Sequence, residues 1–223
     1  MESLLWFPFN EFPFVVLTFV IAFTVHEFAH AYSAYKFGDM TAYNAGRVTL
    51  NPRVHLDVLG TILILLAGFG WAKPVPVNPN RFKRPRLMSI IVTAAGPISN
   101  LVMAFIGLIV FHLLFSTGIL DSSSIGVQKA LYIFLIKYFV WINILLFLFN
   151  LIPLPPLDGY RIISNLLPLR VQMKLEQNLH WGMIFFLLLV FIPPLHDITI
   201  GPLFGLIDDI MLAFNDIIQP WFL

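Results

Sequence analysis

Long apolar runs separated by short polar stretches dominate the chain, and run length decides what each can become. A helix that crosses the hydrocarbon core of a bilayer needs about 20 mainly apolar residues. The runs over roughly 11–37, 88–118 and 129–153 reach that length and predict membrane-crossing helices. The run 178–195 is shorter but carries only His180 as a possible charge, and reads as a fourth span. Residues 58–69 are too short to cross and close in Gly68-Phe69-Gly70-Trp71, which predicts a re-entrant or interfacial segment. The tail 198–223 mixes Gly201, Pro202, Asp208 and Asp209 with Leu, Ile and Phe, and is expected to lie along a surface. Residues 44–52 alternate in character between turn residues and read as a short strand, whereas three prolines exclude helix from Lys73–Pro79. The predicted class is an all-α polytopic membrane protein of four to six membrane segments, with a re-entrant or β-hairpin element after the first helix. One membrane-embedded domain is expected over 1–223, with its core at about 11–165 and a C-terminal helix and interfacial tail over 178–223.

Composition supports this layout. At 59% hydrophobic and 11% charged residues, 223 residues carry more apolar surface than a soluble domain of that size hides, so the bilayer is the solvent. There is no Cys, so any metal must be held by imidazole and carboxylate. The formal charge of +1 is spread over short basic groups between apolar runs, which gives no case for nucleic acid. Those groups report topology instead. Lys36, Arg47 and Arg53, then Lys73, Arg81, Lys83, Arg84 and Arg86, then Arg161, Arg170 and Lys174 all fall on one side if residues 54–72 dip in and return. That side is expected to be the cytosol. Lys129 and Lys137 are exceptions that long side chains can accommodate by snorkelling. The first ten residues hold Glu2 and no Lys or Arg, so no signal peptide is expected; a multi-pass protein of a prokaryotic inner membrane is the resulting expectation.

Chemistry concentrates in the first span. Residues 24–31 read Thr-Val-His-Glu-Phe-Ala-His-Ala, an H-E-x-x-H sequence. On a helix His26 and His30 lie one turn apart on one face, so both imidazoles reach one cation, with Glu27 beside them. Ionisable residues inside a span are costly and mark function. Zinc fits this spacing: it lowers the pKa of a bound water to about 7, and a neighbouring carboxylate, here Glu27, can act as general base. Hydrolytic zinc sites typically use three protein ligands. Lys36 stands where the extended metzincin pattern requires His, and Glu176, the only later Glu, lies in a basic loop.

Depth selects among the aspartates. With the cytosolic end of the first helix near Lys36, a 1.5 Å rise puts His30 about 9 Å and His26 about 15 Å below it. The span 129–153 runs inward and enters Asn150-Leu-Ile-Pro-Leu-Pro-Pro-Leu-Asp-Gly159, where three prolines stop the helix. Asp158 therefore arrives in the same leaflet as the two histidines. One zinc ion per chain, held by His26, His30 and Asp158, is the expectation.

These residues resemble the site-2 protease family of intramembrane metalloproteases, in which an H-E-x-x-H helix is completed by an aspartate from a later L-D-G or N-P-D-G segment. Gly96-Pro-Ile-Ser-Asn100, and Asn150 with Pro156 upstream of Leu157-Asp158-Gly159, extend the resemblance over about residues 20–165. The resemblance implies an endopeptidase cutting in or near transmembrane segments of client proteins, in the cytosolic leaflet. It also implies substrate contacts at Asn150 and Pro156, and a strand over 46–51, including Val48, whose edge pairs with an unwound substrate. No appended domain is recognisable. Two other readings use the same ligands: a zinc transporter, and a catalytically silent client-binding protein. Glu27 speaks against both, because neither needs a base beside the histidines. His55, His112, His180 and His196 read as packed or interfacial, and Gly96 as a close-approach position. Asn100 either lines the site or makes an interhelical hydrogen bond. Nothing in the chain fixes an oligomeric state.

Overall fold

The computed structural model describes residues 7–67 and 70–222, and among them every regular element is a helix. The first, α1 (Phe12–Lys36), opens with a proline in its first turn, where a missing N–H costs nothing, and runs for 25 residues. It stops in a Schellman turn: Gly38 takes φ +96°, its N–H reaches the Tyr35 carbonyl at 3.0 Å, and the Asp39 N–H reaches the Ala34 carbonyl at 3.0 Å. Asp39, fully buried, then gathers the loops that follow. Its carboxylate accepts from the Thr41 N–H at 3.0 Å, the Thr41 hydroxyl at 2.5 Å and the Asn78 N–H at 2.6 Å. Burial alone would raise its pKa, but these donors, with Arg81 at 4.0 Å, hold it below the ordinary 3.8.

The helix α2 (Val58–Ala67), capped by the Gly60 N–H on Asp57 Oδ1 at 2.8 Å, has ten residues, about 15 Å, too few to cross. Its flanks meet: the Lys73 N–H donates to the His55 carbonyl at 2.8 Å, and Leu56 and Ala72 form an isolated antiparallel bridge. The two ends of this segment are thus held side by side. Gly68-Phe69, the expected closing end of this segment, lies outside the described residues.

Two long helices follow, α3 (Pro85–Ser116) and α4 (Ile125–Asn150). Within α4, Ile133–Val140 is wound as a π-helix. Lys137 in that stretch need not snorkel: it pairs with the Glu11 carboxylate, which also accepts from the Tyr138 hydroxyl. A proline-rich turn then leads to α5 (Asp158–Leu166) and α6 (Leu169–Gln177). Gly159 is required there, since a Cβ would collide with the Leu151 and Ile152 backbone. The chain ends in α7 (Leu179–Phe191), α8 (Pro193–Thr199) and α9 (Gly201–Ile218), with a 95° bend after α7. Among the described residues three helices are long and apolar enough to cross a membrane, or four if the bent pair counts as one. That covers only the lower end of the expected four to six.

One expectation needs correction. Residues 44–52 form no strand: Thr41–Asn44 is a helical turn, Gly46 takes φ +67°, and Val48 packs beside Ala31, Ala42 and Val75. The neighbouring segment is tied instead by a side chain, the Arg47 guanidinium donating to the Lys73 and Pro74 carbonyls. The tail lays one face on the bundle. In α9, Ile207 and Ile218 are fully buried against Ala104 and Leu108 of α3 and Val140 and Ile144 of α4.

Candidate metal centre

Helical spacing puts His26 and His30 side by side on α1, with Nε2 atoms 3.0 Å apart. The turn after α4 brings Asp158, the first residue of α5, to the same point, with Oδ2 at 3.2 Å from His26 Nε2 and 3.4 Å from His30 Nε2. The other face of each ring is spoken for. His26 Nδ1–H donates to Asn100 Oδ1 at 2.6 Å, and His30 Nδ1–H donates to the Val92 carbonyl at 2.8 Å, both acceptors on α3. In that tautomer both Nε2 atoms present lone pairs, and they converge on an oxygen of Asp158 that is buried without a hydrogen-bond donor. A proton could bridge one pair and would leave the third atom unmatched. A divalent cation satisfies all three.

The fit to zinc can be tested on distances. Zn–N bonds of 2.0–2.1 Å and tetrahedral angles place two ligand atoms about 3.3 Å apart. The observed separations of 3.0, 3.2 and 3.4 Å match that edge. Three protein ligands leave a fourth position, the arrangement of hydrolytic sites. Gly96 of α3 makes room: a Cβ there would stand on His30 Nε2 and lie 2.7 Å from His26 Nε2. Among the described residues no other group of His, Asp or Glu offers a comparable set.

Glu27 is buried next to the ligands, and its Oε2 accepts the Val75 N–H at 3.0 Å. Arg47 Nη2 lies 4.0 Å from the same oxygen. This guanidinium is buried and donates to the Pro74 carbonyl at 3.0 Å and the Lys73 carbonyl at 2.5 Å, so it fastens the extended segment that carries Val75. Burial lowers the Arg47 pKa while Glu27 opposes the drop; the group stays cationic. His55, fully buried, donates from Nε2 to the Thr49 carbonyl at 2.7 Å and faces Arg47 with Nδ1 at 3.5 Å. Burial lowers its pKa, aided by Arg47 and opposed by the Thr49 bond and by Glu27.

The expected ligands and Glu27 are thus together. Of the expected substrate contacts, Val48 packs beside Val75, Pro156 is exposed on the turn before Asp158, and Asn150 donates its Nδ2–H to the Leu146 carbonyl at 2.9 Å. His112 is remote, bonded to Asn215 Oδ1 at 2.9 Å. Sequence reasoning gave Arg47 only a topological role and passed over Asn143. A polar residue in the middle of an apolar span was the available signal for Asn143; for Arg47 there was none beyond its type.

The sequence profile of peptidase family M50 matches residues 14–192. A protein of Bacillus subtilis strain 168, YwhC, named as a candidate zinc metalloprotease, is 48% identical over 225 residues, covering 99% of both chains. Rip2 of Mycolicibacterium smegmatis, named in the same way, is 28% identical over 190 residues, covering 83% of this chain and 69% of its own. Rip2 of Mycobacterium tuberculosis H37Rv is 26% identical over 201 residues, covering 88% and 74% respectively. No solved structure matches.

Proposed function

The chain belongs to peptidase family M50, the site-2 protease family, and is a membrane zinc metalloprotease; from that premise we propose that it cuts peptide bonds in or near transmembrane segments of other proteins. The observation that carries this reading is the convergence of His26 Nε2, His30 Nε2 and Asp158 Oδ2 within 3.4 Å, with Glu27 adjoining.

His26, His30 and Asp158 would hold the ion. Zinc, when bound, supplies the positive charge that polarises a scissile carbonyl and lets water ionise near neutral pH. Glu27 is the general base. The Val75 N–H fixes its carboxylate through Oε2, leaving Oε1 to take a proton from the water as the oxygen–carbon bond forms. Glu27 then gives that proton to the amine nitrogen as the carbon–nitrogen bond breaks. Arg47 maintains this arrangement by fastening residues 73–75.

A transmembrane helix hides its carbonyls in i to i−4 bonds, so the substrate must unwind to be cut. Val48, Asn150 and Pro156 contact that unwound segment. Support for this lies in their positions, one beside the Glu27 anchor, one at the start of the turn to Asp158 and one on that turn. The site lies in the cytosolic leaflet of the cell membrane, on the side of the basic loops. The catalytic core is 11–165, and the C-terminal helices buttress it.

Cleavage of a co-reconstituted membrane substrate by wild type and Glu27→Gln, with zinc measured in both, tests the assignment. We expect Glu27→Gln to keep its zinc and lose roughly a hundredfold or more in rate. Wild-type cleavage by Glu27→Gln, or loss of its zinc, would overturn the role.

A further inference from the structure

The hydrogen bond that sets the tautomer of His26 does not end at Asn100. Asn100 is fully buried, and its Nδ2 donates to Asn143 Oδ1 at 2.9 Å and to the Ala22 carbonyl at 3.3 Å. Asn143, on α4 and equally buried, donates its own Nδ2–H to the Phe139 carbonyl at 2.8 Å, at the end of the π-helical stretch. A backbone carbonyl can only accept. The Phe139 carbonyl therefore fixes which end of the Asn143 amide is NH₂, and Oδ1 must face Asn100. That oxygen, with the Ala22 carbonyl, turns the Asn100 NH₂ away from His26. Asn100 is left presenting its oxygen, which His26 can meet only with a proton on Nδ1.

We infer that Asn143 is a positioning residue of the zinc site, acting through Asn100 to hold His26 in the tautomer whose Nε2 is bare. Without the Asn143 oxygen only the longer 3.3 Å bond to Ala22 restrains the Asn100 amide. A flipped Asn100 would donate to Nδ1, drive the proton to Nε2, and put it where the metal must sit. The relay crosses three helices: α4 supplies its anchor, α3 transmits it and α1 carries the ligand. Its polar atoms lie within apolar spans, where unmatched donors are costly, so each link has a definite polarity.

This rests on His26 being a zinc ligand, and the experiment separates the two. Zinc affinity of the full chain in detergent is measured by chelator competition for wild type, His26→Ala, Asn143→Leu and Asn143→Asp. The tautomer of His26 is read in the zinc-free proteins by ¹⁵N NMR. In Asn143→Asp a protonated carboxyl would keep an oxygen toward Asn100 and a hydroxyl toward Phe139. We expect Asn143→Leu to bind zinc about tenfold more weakly or worse, with part of His26 moving to the Nε2–H tautomer. Asn143→Asp should stay within about threefold of wild type, well short of the roughly tenfold at which loss of an orienting partner begins to tell. Should Leu prevent folding, Asn143→Ala takes its place with the same expectations. Wild-type affinity and an unchanged tautomer in Asn143→Leu would overturn the relay. So would an Asn143→Asp protein as impaired as Asn143→Leu, because an acceptor oxygen kept toward Asn100 would then have failed to hold the relay. Full zinc affinity in His26→Ala would instead overturn the ligand assignment beneath it.

Discussion

Replacing Gly96 by Ala sets two physical effects against each other. In a helix interior, Ala is favoured over Gly by roughly 0.5–1 kcal/mol, so on propensity alone the variant should be slightly more stable. The structure gives the opposite sign for zinc. An added Cβ would lie 2.7 Å from His26 Nε2 and closer still to His30 Nε2, whereas ordinary contact begins at 3.4 Å. His26 would have to retreat by about 0.7 Å, the difference of those two distances, against a metal–ligand tolerance of about 0.2 Å. Neither ring can back away freely, because Asn100 and the Val92 carbonyl hold their far edges. Loss of affinity by about a hundredfold or more, near 2.8 kcal/mol, is expected. Thermal unfolding of the metal-free protein in detergent, beside zinc affinity by chelator competition, reads both effects. A folded Gly96→Ala protein with wild-type zinc affinity would refute the reasoning, since the ion could not then sit between these histidines.

Arg47→Met strips the charged donor from the Lys73 and Pro74 carbonyls; such bonds contribute about 1.5–3 kcal/mol each, less where, as at these two exposed residues, water can replace the donor. Denaturation in detergent should show a loss of about 2–4 kcal/mol, with proteolysis reduced through Val75 and Glu27; a change under about 0.5 kcal/mol would count against the fastening role. Asp39 bears on acid stability. Its pKa is depressed on folding, so the unfolded chain takes up its proton first; the stabilisation is complete above the ordinary 3.8 and is lost as pH falls below it through the folded value. Acid unfolding of Asp39→Asn followed by fluorescence should lack that component, and an unaltered profile would contradict the assignment.

What could be read from sequence follows from how local each signal is. The pairing of His26 with His30 needs only the helical period, and α1 was legible from its length. Asp158 was reachable by elimination and depth because three prolines dictate where the span ends. The strand over 44–52 failed because alternation describes one segment, whereas a ladder needs a partner, and residues 73–75 are bonded to the Arg47 and Glu27 side chains instead. In the tail, Ile207, Met211, Phe214 and Ile218 recur at helical spacing and face the core. Sequence displays such a stripe but does not say whether lipid headgroups or α3 and α4 will cover it. The Asn143–Asn100–His26 chain joins residues 43 and 74 positions apart, beyond any periodicity argument.

The central claim is that one zinc ion is shared by His26, His30 and Asp158. X-ray absorption at the zinc edge, on stoichiometrically loaded wild type and on Asp158→Ala, addresses it directly. Wild type should give two imidazole nitrogens at about 2.0–2.1 Å and a carboxylate oxygen at about 2.0–2.2 Å, with the oxygen contribution changed in the variant. A first shell holding any other number of imidazoles, or one identical in Asp158→Ala, would contradict the account.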